Sequence, residues 1–169
     1  VSDDVYQERY LKHQARKREM LSEIVRTHYS ERVFDERIVE EEKIEKLIAS
    51  IQSCPSSCDR HGVYIVPVST RDAKNLLGGL LVGGVGWIHR TSHILLLFAD
   101  PRAYKENLIY MPYLDVGVAV MTLYTKTKEL GLKGCFANPQ VRGENQIYFR
   151  DRFGYDIFGG AFGVGYDRS

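Results

Sequence analysis

The sequence predicts a layered domain, a central sheet flanked by helices, on three observations. Ile44, Leu47, Ile48 and Ile51 recur at i, i+3, i+4 and i+7, the period of an amphipathic helix. His93 to Asp100, HILLLFAD, is a continuous apolar run closed by Asp100-Pro101, the pattern of a buried central strand. Pro112 to Leu130 is a long helical segment whose first half, LDVGVAVMTLY, is apolar on nearly every side. Such a helix is expected to be buried all round. In a domain this small, a partner subunit is an expected source of that cover.

A chain of 169 residues fits one domain. Its 44% hydrophobic and 27% charged residues are ordinary for a globular protein. A net charge of +1 gives no support for general nucleic-acid binding. The longest apolar run, Val116 to Leu123 broken by Thr122, falls short of the ~20 residues of a membrane span. Three cysteines, an odd count without a secretory signal, predict reduced thiols and a cytoplasmic setting. The start at Val1 rather than Met is expected of a trimmed piece.

The elements follow in order. Residues 4–25 predict a charged, exposed helix docking by a narrow stripe that includes Tyr6, Tyr10, Leu21, Ile24 and Val25. Residues 1–25 thus form an extension and 26–169 the domain proper. Residues 26–39 lack a period and predict a linker with polar anchors. The helix around Ile44 has acidic residues at its positive end and is stopped by Pro55. Val63 to Val68 predicts a strand that ends or lies at an edge, given Pro67. Ser69 or Thr70 caps a helix expected to reach about Gly83, before a glycine cluster and Trp87. Pro112 opens the long helix, and Gly131 follows its end as a C-cap. Residues 135–138 predict a short strand, 144–153 a small helix and 161–167 a final strand.

Cys54, Cys58 and His61 stand at C-x3-C-x2-H spacing. A structural zinc site wants four ligands from paired short motifs, and no second pair exists here, so two small thiols at a helix end compete with a metal clip. The glycine clusters at 83–86 and 159–163 do not match G-x-G-x-x-G between a strand and a helix, which leaves turns or close approach to a flat ligand. Ser56 and Ser57 have only His61 nearby as a base. In His28-Tyr29-Ser30-Glu31-Arg32-Val33-Phe34, Arg32 offers a fork of donors for an anion and Ser30 a small donor. A surface loop with a capping serine is the alternative.

Together these segments resemble the FMN-dependent nitroreductase family over residues 22–167. His28-Tyr29-Ser30-Glu31-Arg32-Val33-Phe34 is similar to its R-x-S-x-[RK]-x-F opening, and Pro55-Ser56-Ser57-Cys58-Asp59-Arg60-His61-Gly62 to its P-S-S-x-N-x-Q-P-W segment. Thr91 to Leu97, Asp115-Val116-Gly117, Gly131-Leu132-Lys133-Gly134 and Val164 to Asp167 follow in family order. The resemblance implies an α+β fold, nitroreductase-like, with a mostly antiparallel central sheet flanked by helices, in a homodimer. It implies an enzyme that passes hydride from NAD(P)H through flavin N5 to a small, electron-poor planar acceptor such as a nitroaromatic or quinone. No side chain serves as a nucleophile. FMN contacts would come from His28, Tyr29, Ser30 and Arg32, and, across the dimer interface, from Pro55, Ser56, Ser57 and Asp59. Phe136, Ala137 and Asn138 would run along the ring.

Departures from the pattern carry expectations of their own. His28 replaces an arginine, so the phosphate grip becomes pH-sensitive. Asp59 replaces asparagine; its charge disfavours an anionic reduced ring unless paired, with Arg60 or Arg32 as candidates. His61-Gly62 replaces glutamine-proline, Pro139 lacks an N–H, and with the sequence ending at Arg168-Ser169 the distal cation is expected to be largely missing and the C-terminal arm missing. A catalytically silent flavin- or ligand-binding scaffold and a Cys/His metal module remain as alternatives.

Overall fold

The computed structural model describes residues 3–27 and 30–168 and, within the first helix, the side chains of residues 4–16 and 23. Helix α1 spans Asp3–Thr27, α2 Glu41–Gln52, α3 Arg71–Leu80, α4 Met111–Glu129 and α5 Gln146–Phe153. Strands β1 Val63–Val68, β2 His93–Ala99, β3 Lys133–Ala137 and β4 Ile157–Gly165 form one sheet in the order β1-β2-β4-β3. Every pairing is antiparallel.

Strand β2 is buried along its whole length, as its uninterrupted apolar run requires. Successive side chains point to opposite faces. Ile94, Leu96 and Phe98 therefore join Leu77, Leu81, Ile88 and Phe149 under α3 and α5. Leu95 and Leu97 join Ile44, Leu47, Val116 and Leu123 under α2 and α4. Two cores thus sandwich one sheet. A bulge between Leu97 and Phe98 bends β4 where Gly160 adopts φ 125°. A side chain there would meet the Ala137 carbonyl at 2.6 Å, so only glycine fits.

Several expectations need correction. Helix α3 ends at Leu80, because Leu81 turns extended and bridges Val141. The Thr70 cap is present, its Oγ1 accepting from Ala73 N at 3.4 Å. Strand β4 starts at Ile157, four residues earlier than the apolar pattern suggested, and Asp167 instead bridges Phe34. Within this chain α4 is not buried all round. Val116, Ala119 and Leu123 are buried, whereas Tyr110, Tyr113, Leu114, Val118 and Met121 are exposed. Tyr6 and Tyr10 on α1 are exposed rather than docked; the side chains of Leu21, Ile24 and Val25 lie outside those described. The linker does have polar anchors. Glu31 N donates to Gly134 O, Asp35 N to Tyr166 O, and Val39 N to Ser92 Oγ.

Candidate functional site

Pro55 ends α2, and the next residues close a tight turn. Cys58, Asp59 and His61 all take left-handed backbone, at φ 47°, 55° and 50°. Each costs roughly 1–2 kcal/mol for a non-glycine residue, so the surroundings must over-determine the turn. The main constraint is Asp115, a 5% exposed carboxylate in the first turns of α4. Its Oδ1 accepts from Ser57 N at 2.8 Å and its Oδ2 from Tyr104 Oη at 2.7 Å. Burial, then the neighbouring Asp115, push the Tyr104 phenol well above its usual range, so it stays a donor. Gly62 completes the fit, since a Cβ there would sit 2.6 Å from the Tyr104 ring.

The serines point their acceptor sides inward. Ser56 Oγ accepts from His61 N at 2.9 Å, and Ser57 Oγ from the Arg60 guanidinium at 2.8 Å. A hydroxyl that has accepted still has its O–H to donate, so both serines keep a donor for a ligand. Asp59 pairs with neither Arg60 nor Arg32, contrary to expectation. Its Oδ1 lies 2.5 Å from His61 Nε2. The His61 ring is thereby engaged with Asp59, and only its backbone N–H meets a serine. Cys54 is buried with its Sγ donating to Ile51 O, while Cys58 is exposed. Among the described residues, no group of three His, Cys, Asp or Glu could hold a metal.

A second cluster gathers at β3. Ser30 Oγ and Tyr124 Oη are 2.9 Å apart, and Tyr124 Oη accepts from Phe136 N at 2.9 Å. The Tyr124 ring packs edge-on against Phe162, at 5.0 Å between centroids. Ser30 is therefore fixed to the strand that leads into Ala137 and Asn138. The Arg32 side chain is exposed and makes no hydrogen bond or ion pair among the described residues. Asn138 Oδ1 accepts from Gln140 N at 2.9 Å, and Gly83 lies against Asn138 so closely that a Cβ would stand 3.2 Å from its backbone N. His28 and Tyr29 lie outside the described residues.

The two clusters do not meet in one chain. Asp115 and Tyr124 are nine residues apart on α4, roughly 13 Å along the axis and about 180° around it. They flank the exposed apolar stripe of α4 on either side. Sequence reasoning missed Tyr124 and Tyr104, and it read Asp115 only as part of a motif. A tyrosine closing the apolar run LDVGVAVMTLY was the available signal for Tyr124.

No profile of a known protein family matches the chain. It is 27% identical over 145 residues to the FMN reductase [NAD(P)H] of Bacillus subtilis (strain 168), covering 75% of this chain and 57% of that protein. The chain thus spans 57% of the length of that curated relative. Among solved structures it resembles an FMN-dependent nitroreductase of Clostridium difficile R20291, at TM-score 0.74 and 18% identity over 86% of this chain and 87% of that one. A protein of Parabacteroides distasonis assigned as an NADH dehydrogenase/NAD(P)H nitroreductase matches at TM-score 0.75 and 23% identity, over 87% and 86% of the two chains. A protein of Desulfovibrio desulfuricans assigned as a nitroreductase, solved in complex with FMN, matches at TM-score 0.71 and 18% identity, over 87% and 86%. The fold is that of the nitroreductases, α+β with an antiparallel sheet. The resemblance read from the sequence and these structural neighbours agree.

Proposed function

We propose that this chain is an FMN-binding, NAD(P)H-dependent oxidoreductase of the nitroreductase type that works as a homodimer. The observation that carries this reading is the split of the ligand-facing groups into two clusters flanking the apolar stripe of α4. A second copy seated over Tyr113, Leu114, Val118 and Met121 would cover that stripe. It would also bring the serine turn of one copy toward Arg32 and Asn138 of the other. The distant likeness to an FMN reductase supports the cofactor.

The donors present fit FMN. An Arg32 guanidinium with no partner among the described residues suits a phosphate or an electron-rich carbonyl edge. Two serine O–H groups remain available on a turn held rigid by Asp115. When bound, FMN would supply the hydride chemistry between NAD(P)H and an electron-poor acceptor. The chain's own work is then positional and electrostatic. Arg32 would offset negative charge that develops during reduction. Asp59 is held by the His61 ring rather than left free to turn toward the flavin. No side chain is assigned as nucleophile.

Residues 1–25 would be an extension to this domain. The three free cysteines suit a reducing, cytoplasmic setting. Among the described residues, no helix is long and apolar enough to cross a membrane. The test is anaerobic titration of purified protein with NADPH while following flavin absorbance near ~450 nm. Bleaching is expected. Colourless protein that takes up no FMN would reject the reading, and bound flavin that neither NADH nor NADPH bleaches would favour the silent scaffold.

A further inference from the structure

A cavity of about 610 Å³ lies between α5, the start of β4 and the segment after β3. Its size falls in the range of small-molecule sites. One wall is aromatic and rigid. Phe149 is 2% exposed, and its ring centroid lies 4.6 Å from that of Phe158, which packs in turn on Phe98 at 5.5 Å. Polar side chains also line it. Asn138, directly after β3, is one of them. Gln146 and Arg150, one turn apart on α5, share a face. The Arg150 side chain is exposed and makes no hydrogen bond or ion pair among the described residues. Asp156, also on the wall, already accepts from Tyr64 Oη at 2.6 Å. Tyr113 places the cavity beside the exposed stripe of α4.

The geometry points to this cavity as the binding site for an acceptor with a flat aromatic ring and an anionic substituent, such as a carboxylate, gripped by Arg150. The aromatic wall takes the ring face, and the free guanidinium fork matches a carboxylate. Asp156, a carboxylate on the same lining, disfavours an anion placed beside it. The assignment of the ligand as an acceptor rests on the flavin reading above, because Asn138 is the residue the two sites share. Binding at the cavity does not depend on that reading.

The experiment compares 4-nitrobenzoate with neutral 4-nitrobenzamide by titration calorimetry on the purified protein, with bound flavin read separately from its absorbance. The wild-type chain is expected to bind the carboxylate about tenfold more tightly, as for a hydrogen bond to a charged group. Arg150→Gln should erase that preference without moving the thermal midpoint, and Asp156→Asn should strengthen carboxylate binding. Equal affinity for the two probes, or a preference that survives Arg150→Gln, would overturn the assignment. Colourless protein that keeps an Arg150-dependent preference would uphold the cavity and reject the flavin reading. Yellow protein with no preference would do the reverse.

Discussion

Replacing Asp115 by alanine tests the serine turn most sharply. The change strands two donors, Ser57 N–H and the Tyr104 hydroxyl, that now meet one 5% exposed carboxylate. A hydrogen bond to a charged group is worth about 1.5–3 kcal/mol, so two give an upper bound of about 6 kcal/mol. Ser57 and Tyr104 are only partly buried, so water can reach both donors after some relaxation. A loss of about 3 kcal/mol is therefore expected. With a urea dependence of about 2 kcal/mol per molar, the unfolding midpoint should fall by about 1.5 M. Asp115→Asn keeps one acceptor and should lose about half as much. The assay is equilibrium urea unfolding of both variants beside the wild-type chain, followed by FMN binding at low urea. Among the described residues, the left-handed turn at Cys58, Asp59 and His61 has no other side-chain hydrogen bond to α4, so flavin affinity should fall with stability. An Asp115→Ala chain that unfolds at the wild-type midpoint would refute the role given to this carboxylate.

Four further outcomes follow from the same geometry. Cys58 is exposed while Cys54 and Cys135 are buried, so a thiol reagent should titrate one cysteine in the native chain and three after denaturation; fast reaction of all three would contradict the burial. Tyr64 is pushed up to about 12, by burial first and then by Asp156. A folded-state value above the unfolded one stabilises the fold below pH ~10 and loses that contribution as pH rises through about 12; Tyr64→Phe should flatten this alkaline decline in thermal melts. Glu40 is held down at about 2, chiefly by the Tyr166 hydroxyl and also by Arg37. Its contribution is present above the ordinary carboxylate range and lost as pH falls toward about 2, so in Tyr166→Phe the Glu40 resonance should titrate at higher pH. Gly160→Ala forces a Cβ against the Ala137 carbonyl at φ 125°, and should destabilise the chain by about 2 kcal/mol or more; an unchanged melting temperature would remove the case for the bulge.

The parts of the fold that the sequence announced are those governed by local pattern. Ile44, Leu47 and Ile51 all face the core, as their spacing required. The run from His93 to Ala99 is the central strand, since only a strand buried on both faces lacks polar alternation. Pro55 ended its helix within three residues. Other features escaped because their causes are distant in the chain. Hydrogen bonds from Ser30 to Tyr124 and from Ser57 to Asp115 link residues 94 and 58 positions apart. Strand β4 begins among Ile157, Phe158, Gly159 and Gly160, where glycines mask strand character. Helix α4 is apolar on faces that meet different neighbours, and composition does not separate a face packed on this sheet from one left exposed. Asp59 found His61 rather than an arginine because the left-handed turn directs both side chains to one side.

The central claim is that each flavin site takes its serine turn from one copy and Arg32 from the other. Mixed dimers test it directly. One copy carries Arg32→Ala, the other Ser56→Ala with Ser57→Ala, and doubly tagged heterodimers are purified and titrated with FMN. Neither parental homodimer should hold FMN tightly, whereas the heterodimer should recover one tight site per pair of chains. A heterodimer that binds no better than its parents, or a protein that takes up FMN fully as a monomer, would contradict the account.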